Sequence, residues 1–523
     1  MWGFSSFDRR LVRPSLLLTA VLAGCAAPLH HDPNPAFDSA AATKVFAAGY
    51  SVIQDKYIEP VSSRTIVTHG LSGLISIESG LAIDVSRDSV ALRLPDGATA
   101  ALPAPADDDA QQWAALTANA ISIARAHSRA LNERGSEDIY QAVFRASLAG
   151  FDRFSRYLPA SAARSARATR EGYGGIGVML QFDAGRVLID SVLPDSPAAR
   201  AGIKNGDVIV RIDQALVAAM DEAEVVERLR GRVSSQVKLT LTRAEDQMLT
   251  VALKRAHIVS PTVELTRRGG IAVIKLSGFN QGTARNLAQA LDRAERDMGA
   301  ELKGLVLDMR DNPGGLLDQA ISVSDMFLPS GRIVSTKGRH AHSLQVYDAS
   351  GRDRSFNLPM VVLVNGRSAS AAEIVAAALQ DDGRAVIVGS NSYGKGTVQN
   401  LSPLPNDGEL VLTWSYYHAP SGYSLHDLGV LPNVCTSGFK GSAEEALNQI
   451  NPLWLRLPLL MAAWRASTPG ESVKLETMRQ NCPRSNEVRE LELDVAQRLI
   501  ADPVLYRRAL QSTGSTVVAG PLP

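Results

Sequence analysis

The stretch from Met360 to Gln399 constrains this chain more than any other. It begins with Met360–Val364, an apolar run of the length expected for a buried strand. The polar turn Asn365-Gly366-Arg367 follows, then Ser368-Ala369-Ser370. After it, Ile374, Val375, Ala378 and Leu379 fall on one face of a helix. A second apolar run, Ala385 to Gly389, leads to Gly394-Lys395-Gly396 and Gln399. Strands alternating with helices predict an α/β core. Glu373 follows Ser370 at the spacing of a capping box. That puts Ser370 at a strand-to-helix elbow, near the positive end of a helix dipole.

A serine hydroxyl is a poor nucleophile unless a neighbouring base takes its proton. No histidine lies between Ser343 and Tyr417. A neutral lysine amine can do the same work if burial brings its pKa down from about 10.4 toward neutrality, which disfavours the charged form by on the order of 4 kcal/mol. Glycines on both sides of Lys395 let the backbone pack closely around it. Taken alone, a serine at a helix start is usually only a cap, so the chemical reading rests on the company Ser370 keeps.

That company resembles the active-site segment of the C-terminal processing peptidases, also called tail-specific proteases. The matching words are Ser368-Ala369-Ser370-Ala371 with Glu373-Ile374, then Ala378-Leu379-Gln380-Asp381, then Gly394-Lys395-Gly396-Thr397-Val398-Gln399. The resemblance implies a Ser–Lys dyad with Ser370 as nucleophile, Lys395 as general base and Gln399 holding the lysine amine. Upstream, Asp311-Asn312-Pro313-Gly314-Gly315 turns into a helical segment, a place where backbone N–H groups can meet an oxyanion. In the family this turn supplies the oxyanion hole, which implies the N–H of Gly315 or Gly314 together with that of Ala371. Asp308 and Arg310 are read as a structural ion pair. The closing words Tyr416 to Gly422 and Gly429 to Val434 also resemble the family, with Asn433 where aspartate is usual. His418 and His426 are the remaining candidate bases, and neither has a carboxylate partner evident in the sequence.

Gly172 to His257 is similar to the PDZ domain of the same family. Tyr173-Gly174-Gly175-Ile176-Gly177 reads as a carboxylate-binding loop entering a strand at Val178, and Asp221 to Leu229 as the groove helix. Glycine-borne N–H groups can take a terminal carboxylate, and an open strand edge can pair with an extended peptide. Resemblance to the family also implies that this domain gates the active site.

Met1 to Cys25 reads as a targeting segment: Arg9, Arg10 and Arg13, an apolar run from Leu16 to Leu22, then Leu22-Ala23-Gly24-Cys25. This looks like a bacterial lipoprotein signal with a lipid on Cys25, and Ala26 by analogy favours the outer membrane. A plain secretory peptide is the alternative, and either exports the chain. Cys435 and Cys482 remain as a candidate disulfide, since export to an oxidising compartment permits one. No spacing suggests a metal site, and no cofactor is expected. Lysine plus arginine balance aspartate plus glutamate, 54 against 54, which argues against nucleic acid as a partner.

The expected fold is thus an α/β crotonase-like protease core with an inserted PDZ domain and an N-terminal helical region. The expected boundaries are a signal peptide over 1–24, a helical region over 25–165 with a β-hairpin-like insertion near 81–102, a PDZ domain over 166–258, the protease core over 259–436 and a helical C-terminal extension over 437–523. The expected function is that of an exported serine endopeptidase acting on proteins from their C-terminal region. Its expected partners are polypeptide C-termini, a membrane through the lipid, and an adaptor or activator protein. The rival reading is a non-catalytic PDZ scaffold lipoprotein of the cell envelope; the presence of Ser370, Lys395 and Gln399 speaks against it.

Overall fold

The computed structural model describes residues 37–513 apart from 184, 244–246, 352 and 468–471. Cys25 and the rest of the expected signal segment lie outside the described residues.

At the centre is a six-stranded sheet. Its strands Ile271–Leu276, Gly304–Asp308, Met360–Val364, Val386–Gly389 and Val434–Cys435 run parallel, and Val263–Arg268 joins antiparallel at one edge. The inner strands are buried along nearly their whole length, because both faces of the sheet are covered. Side chains of successive residues point to opposite faces. Thus Leu305, Leu307, Val362, Val364 and Ile387 pack into one core with the helices Thr283–Met298, Leu317–Asp325 and Ala371–Asp381. Val306, Val361, Leu363, Val386 and Val388 pack into another, against Val495, Leu499 and Ile500 of the helix Glu490–Ala501.

This second core changes how the C-terminal extension is understood. It is not an appendage after residue 436, because it supplies one entire wall of the sheet. A Cβ on Gly304 would lie 2.5 Å from the Ile500 side chain, so the glycine leaves the space that this side chain fills against the strand. Arg310 joins the two parts through buried ion pairs, to Asp308 at 2.6 Å and to Glu492 at 3.2 Å. Cys435 and Cys482 are bonded, with Cα atoms 5.9 Å apart. The extension expected to be helical over 437–523 is a series of short helices among the described residues: Ala443–Ile450, Leu457–Arg465, Ser472–Arg479, Glu490–Ala501 and Pro503–Gln511. Pro452 and Pro458 stand at the starts of new turns rather than inside one helix.

A second, antiparallel sheet flanks the core, with Gln345–Asp348, Arg332–Lys337, Glu409–His418 and Thr397–Pro403 in that order. The short strand Arg156–Leu158 adds to Glu409–His418. The N-terminal region packs Ser39–Lys56, Ser63–Ser72, Ala110–Ala126 and Ser136–Leu148 around their own core. The insertion near 81–102 is a three-stranded antiparallel meander, Ala82–Val85, Ser89–Arg93 and Thr99–Pro103, rather than one hairpin. The Pro95-Asp96-Gly97 turn joins its last two strands. The first strand, Ala-Ile-Asp-Val, alternates too weakly to stand out in the sequence.

The PDZ domain holds its own core. Val178–Asp183 is the edge strand of its sheet, beside the helix Glu222–Leu229. The chain enters and leaves through a two-stranded ribbon, Tyr173–Gly175 paired with Ala256–Ile258. The expected domain boundary at 166 falls inside the helix Ala160–Glu171, which leads into that ribbon.

Candidate active site

The strand Met360–Val364 ends in the turn predicted for it, and the helix Ala371–Asp381 starts at once. Between them Ser370 takes φ 55°. A non-glycine residue rarely adopts that conformation, at a cost on the order of 1–3 kcal/mol. It is held there by its surroundings. Its N–H donates to Glu373 Oε2 at 2.8 Å, which is one half of the expected capping box. Ser368 Oγ donates to Met309 O at 2.8 Å, and the Ala369 N–H to Asn312 O at 2.9 Å. The elbow is thereby tied to the turn that follows the neighbouring strand Gly304–Asp308.

That turn is the one expected to bind an oxyanion. A Cβ on Gly314 would lie 2.7 Å from Ala369 O, 2.8 Å from Ser370 Cβ and 2.9 Å from Ala371 N. A Cβ on Gly315 would lie 2.0 Å from Phe279 O. Both positions therefore need glycine, and both have positive φ. The structure separates the two candidate donors. The Gly314 N–H is occupied by Asn312 Oδ1 at 2.9 Å, so it is not available to a substrate. Among the described residues, the N–H groups of Gly315 and Ala371 have no partner. The side chain of Tyr417 lies within hydrogen-bonding reach of Ser370, and burial pushes its hydroxyl pKa up.

Lys395 sits in the loop between the strands Val386–Gly389 and Thr397–Pro403. Its N–H donates to Glu373 Oε2 at 2.8 Å. The Gly394 N–H and the Ser392 hydroxyl donate to Glu373 Oε1, each at 2.5 Å. Burial pushes the Glu373 carboxyl up, and these donors pull it back. The Lys395 ammonium stands over the ring of Phe154, 5.2 Å from its centroid. Burial lowers the Lys395 pKa and Arg156 lowers it further, against the opposing pull of Glu373 and Asp152.

Gln399 is not placed as expected. Its amide nitrogen donates to Thr397 Oγ1 at 2.9 Å and to Thr413 Oγ1 at 3.1 Å, and no hydrogen bond joins it to Lys395 among the described residues. Thr413 Oγ1 in turn donates to Asp152 Oδ1 at 2.9 Å. Asp152 also accepts the N–H groups of Phe154 and Ser155. So Gln399 belongs to the network that fixes the Phe154 turn. Phe154 and Arg156 lie just ahead of the helix Ala160–Glu171, and no motif in the sequence assigns either of them a role. Of the two histidines, His418 pairs with Ser335 at the end of its strand. His426 has Asp427 at 3.5 Å, an acidic neighbour after all, and packs on Phe154 and Tyr416.

In the PDZ domain, Tyr173, Gly175, Ile176, Gly177 and Val178 line a cavity of about 200 Å³. Leu180, Phe182, Val226 and Leu229 complete its apolar wall. Gly174, in the same ribbon as Tyr173 and Gly175, does not line the cavity; its carbonyl accepts the Gly231 N–H at 3.0 Å. Arg230 stacks on the Tyr173 ring, 4.2 Å from its centroid.

Residues 270–436 match peptidase family S41, and residues 188–243 match a PDZ domain. A carboxy-terminal-processing protease of Bartonella bacilliformis is 39% identical over 290 residues, covering 55% of this chain and 67% of that one. The carboxy-terminal processing protease CtpA of Bacillus subtilis is 35% identical over 285 residues, covering 54% of this chain and 60% of that one. Among solved structures, a photosystem II D1 C-terminal processing protease shares 24% identity and covers 75% of this chain and 92% of that one, at a TM-score of 0.38.

Proposed function

This chain belongs to the C-terminal processing peptidases of family S41, and we propose that it is a serine endopeptidase that trims or degrades proteins from their C-terminal region. The observation that carries this reading is the pair of unoccupied N–H groups, on Gly315 and Ala371, beside a serine held at a strained elbow. Ser370 is the nucleophile. Lys395 turns from the Phe154 ring toward Ser370 and, in its neutral form, takes the hydroxyl proton as Oγ attacks the peptide carbonyl. The new oxyanion accepts hydrogen bonds from Gly315 and Ala371. Lys395 passes the proton to the leaving amine, and water releases the acyl group from Ser370. The core carrying these groups is read as crotonase-like.

The PDZ domain recognises substrate C-termini. The free edge of Val178–Asp183 suits an extended chain, and the loop Gly175-Ile176-Gly177 suits its carboxylate. The cavity beside them suits an apolar last side chain. The protein is exported and lipid-anchored through Cys25, facing the periplasm from the outer membrane, and an adaptor or activator works with it there. The Cys435–Cys482 bond supports an oxidising compartment. Incorporation of labelled palmitate, lost in Cys25→Ser, tests the anchor.

The catalytic reading is tested with wild type, Ser370→Ala and Lys395→Ala, each without the signal segment, on a loosely folded protein with an apolar C-terminus. Cleavage by wild type alone is expected. Cleavage that survives both substitutions would overturn the assignment.

A further inference from the structure

The family match ends at residue 436. A segment far beyond it nevertheless lies against both loops of the candidate active site. The Ser485 carbonyl accepts the Gly366 N–H at 2.7 Å, in the turn that leads to Ser370. Ser485 also exchanges two hydrogen bonds of 3.1 Å with the Ser390 hydroxyl, its N–H donating in one and its carbonyl accepting in the other. One residue earlier, Arg484 Nε donates to Ser392 O at 3.0 Å and its Nη2 to Tyr393 O. The same guanidinium lies over the Tyr393 ring, 5.2 Å from the centroid. Arg479 adds a hydrogen bond to Tyr393 O at 3.2 Å. The disulfide at Cys482 fixes this segment to Cys435, at the end of the core sheet.

The Ser392–Lys395 loop has no regular secondary structure of its own. It is gripped from two sides. Glu373 holds the Ser392 hydroxyl and the N–H groups of Gly394 and Lys395 from within. Arg484 holds the carbonyls of Ser392 and Tyr393 from outside. We propose that Arg484, carried on the disulfide-tethered segment Cys482–Ser485, is a positioning residue that fixes the loop bearing Lys395 relative to Ser370. The proposal rests on the Ser370–Lys395 reading above. Arg484 touches neither the substrate nor the reacting hydroxyl; it acts through two backbone carbonyls, which a planar fork can hold together and a lysine cannot.

A loosened loop would admit water to Lys395 and return its amine toward ordinary lysine behaviour. The charged groups around Lys395 are Glu373 on the elbow helix and Asp152 and Arg156 near the Phe154 turn. Arg153, Asp427 and His426 form the next ring behind Phe154. None of them sits on the Arg484 segment, so they remain in place when Arg484 is changed.

The experiment compares Arg484→Ala and Arg484→Lys with wild type as full chains lacking only the signal segment. Arg484 is exposed, so neither variant is expected to lose its fold. In both, kcat at neutral pH should fall by about tenfold, with KM within twofold and much of the loss recovered at high pH. Amide hydrogen exchange over residues 390–396 should quicken while the melting temperature holds. An equal loss at every pH, or unchanged exchange over 390–396, would overturn the proposal. Full rescue by Arg484→Lys would overturn it in favour of a purely electrostatic role. Full activity in Lys395→Ala would instead remove the dyad reading, and the exchange measurement would still decide whether Arg484 holds the loop.

Discussion

Ser370 and Lys395 donate their backbone N–H groups to the same oxygen of Glu373, each at 2.8 Å. One fully buried carboxylate therefore couples the elbow to the lysine loop without engaging either side chain. An amide in its place would present NH2 to donors that now meet an oxygen. Glu373→Gln should lower kcat by roughly 10- to 100-fold and stability by about 2–4 kcal/mol. Paired kinetic and thermal-denaturation measurements check both, and retention of full activity would mean the coupling is idle.

The two glycines of the oxyanion turn should fail differently. A methyl at Gly315 meets the Phe279 carbonyl, which is backbone and cannot yield, so Gly315→Ala should compromise folding. A methyl at Gly314 also meets backbone, at Ala369 O and Ala371 N, but with wider gaps, and it meets the Ser370 Cβ as well, so its strain falls on the elbow itself. Gly314→Ala should cut kcat by about 10²- to 10³-fold with KM little changed, as seen by steady-state kinetics on soluble protein.

The pH dependence follows from the Lys395 environment. Burial and Arg156 lower its pKa, and the base must be neutral, so activity should rise with pH along a single acid limb and be greatest at or above neutrality. The stability term has a definite sign. A lysine with a depressed pKa in the folded state binds its proton more tightly when unfolded, so its burial destabilises the fold fully below the folded pKa. That cost fades as pH rises toward the ordinary lysine value. Lys395→Met should therefore raise the melting temperature by roughly 1–3 °C at neutral pH, and by less near pH 10. An activity maximum below pH 5 would contradict this account.

Gln399 and Thr413 should behave as one unit. Because Gln399 bonds to Thr413 and Thr413 to Asp152, Gln399→Ala and Thr413→Val should each reduce kcat several-fold, and the double variant should be little worse than either. Additive losses in the double-mutant cycle would show that Gln399 acts on its own.

Substrate selection should reside in the PDZ cavity. Val226 lines it from the groove helix and is half-buried, so Val226→Asp places a charge there without opening the domain core. KM for a substrate with an apolar C-terminus should rise about tenfold while kcat holds. Amidating the substrate's C-terminus should have a similar effect on wild type.

What was legible in the sequence was local. Met360–Val364, the elbow at Ser370 and the Gly-flanked Lys395 each announce themselves through residue type and spacing over a few positions. Glu373 could be read as a cap from the same spacing. Its second role, holding Lys395 and Gly394, depends on a loop that returns to it from another strand, and no periodicity records that. The choice between Gly314 and Gly315 turned on where the Asn312 side chain points. That Gln399 turns to Thr397 and Thr413 is not legible in the sequence, because family likeness supplies a role without supplying rotamers. The C-terminal extension is legible in the sequence only as helical. Strands apolar on both faces show that each face needs a cover, but only the structure shows that residues beyond 436 supply one of them.

The ribbon at Tyr173–Gly175 and Ala256–Ile258 brings the two ends of the PDZ domain together. A module whose entry and exit coincide can be exchanged as a cassette, because its replacement needs only to bridge the same short gap. On the proposed function, selectivity and peptide-bond chemistry are then separate inheritances in this chain. A foreign peptide-reading module grafted at that ribbon would redirect the protease to new clients while leaving the Ser370 elbow as it is.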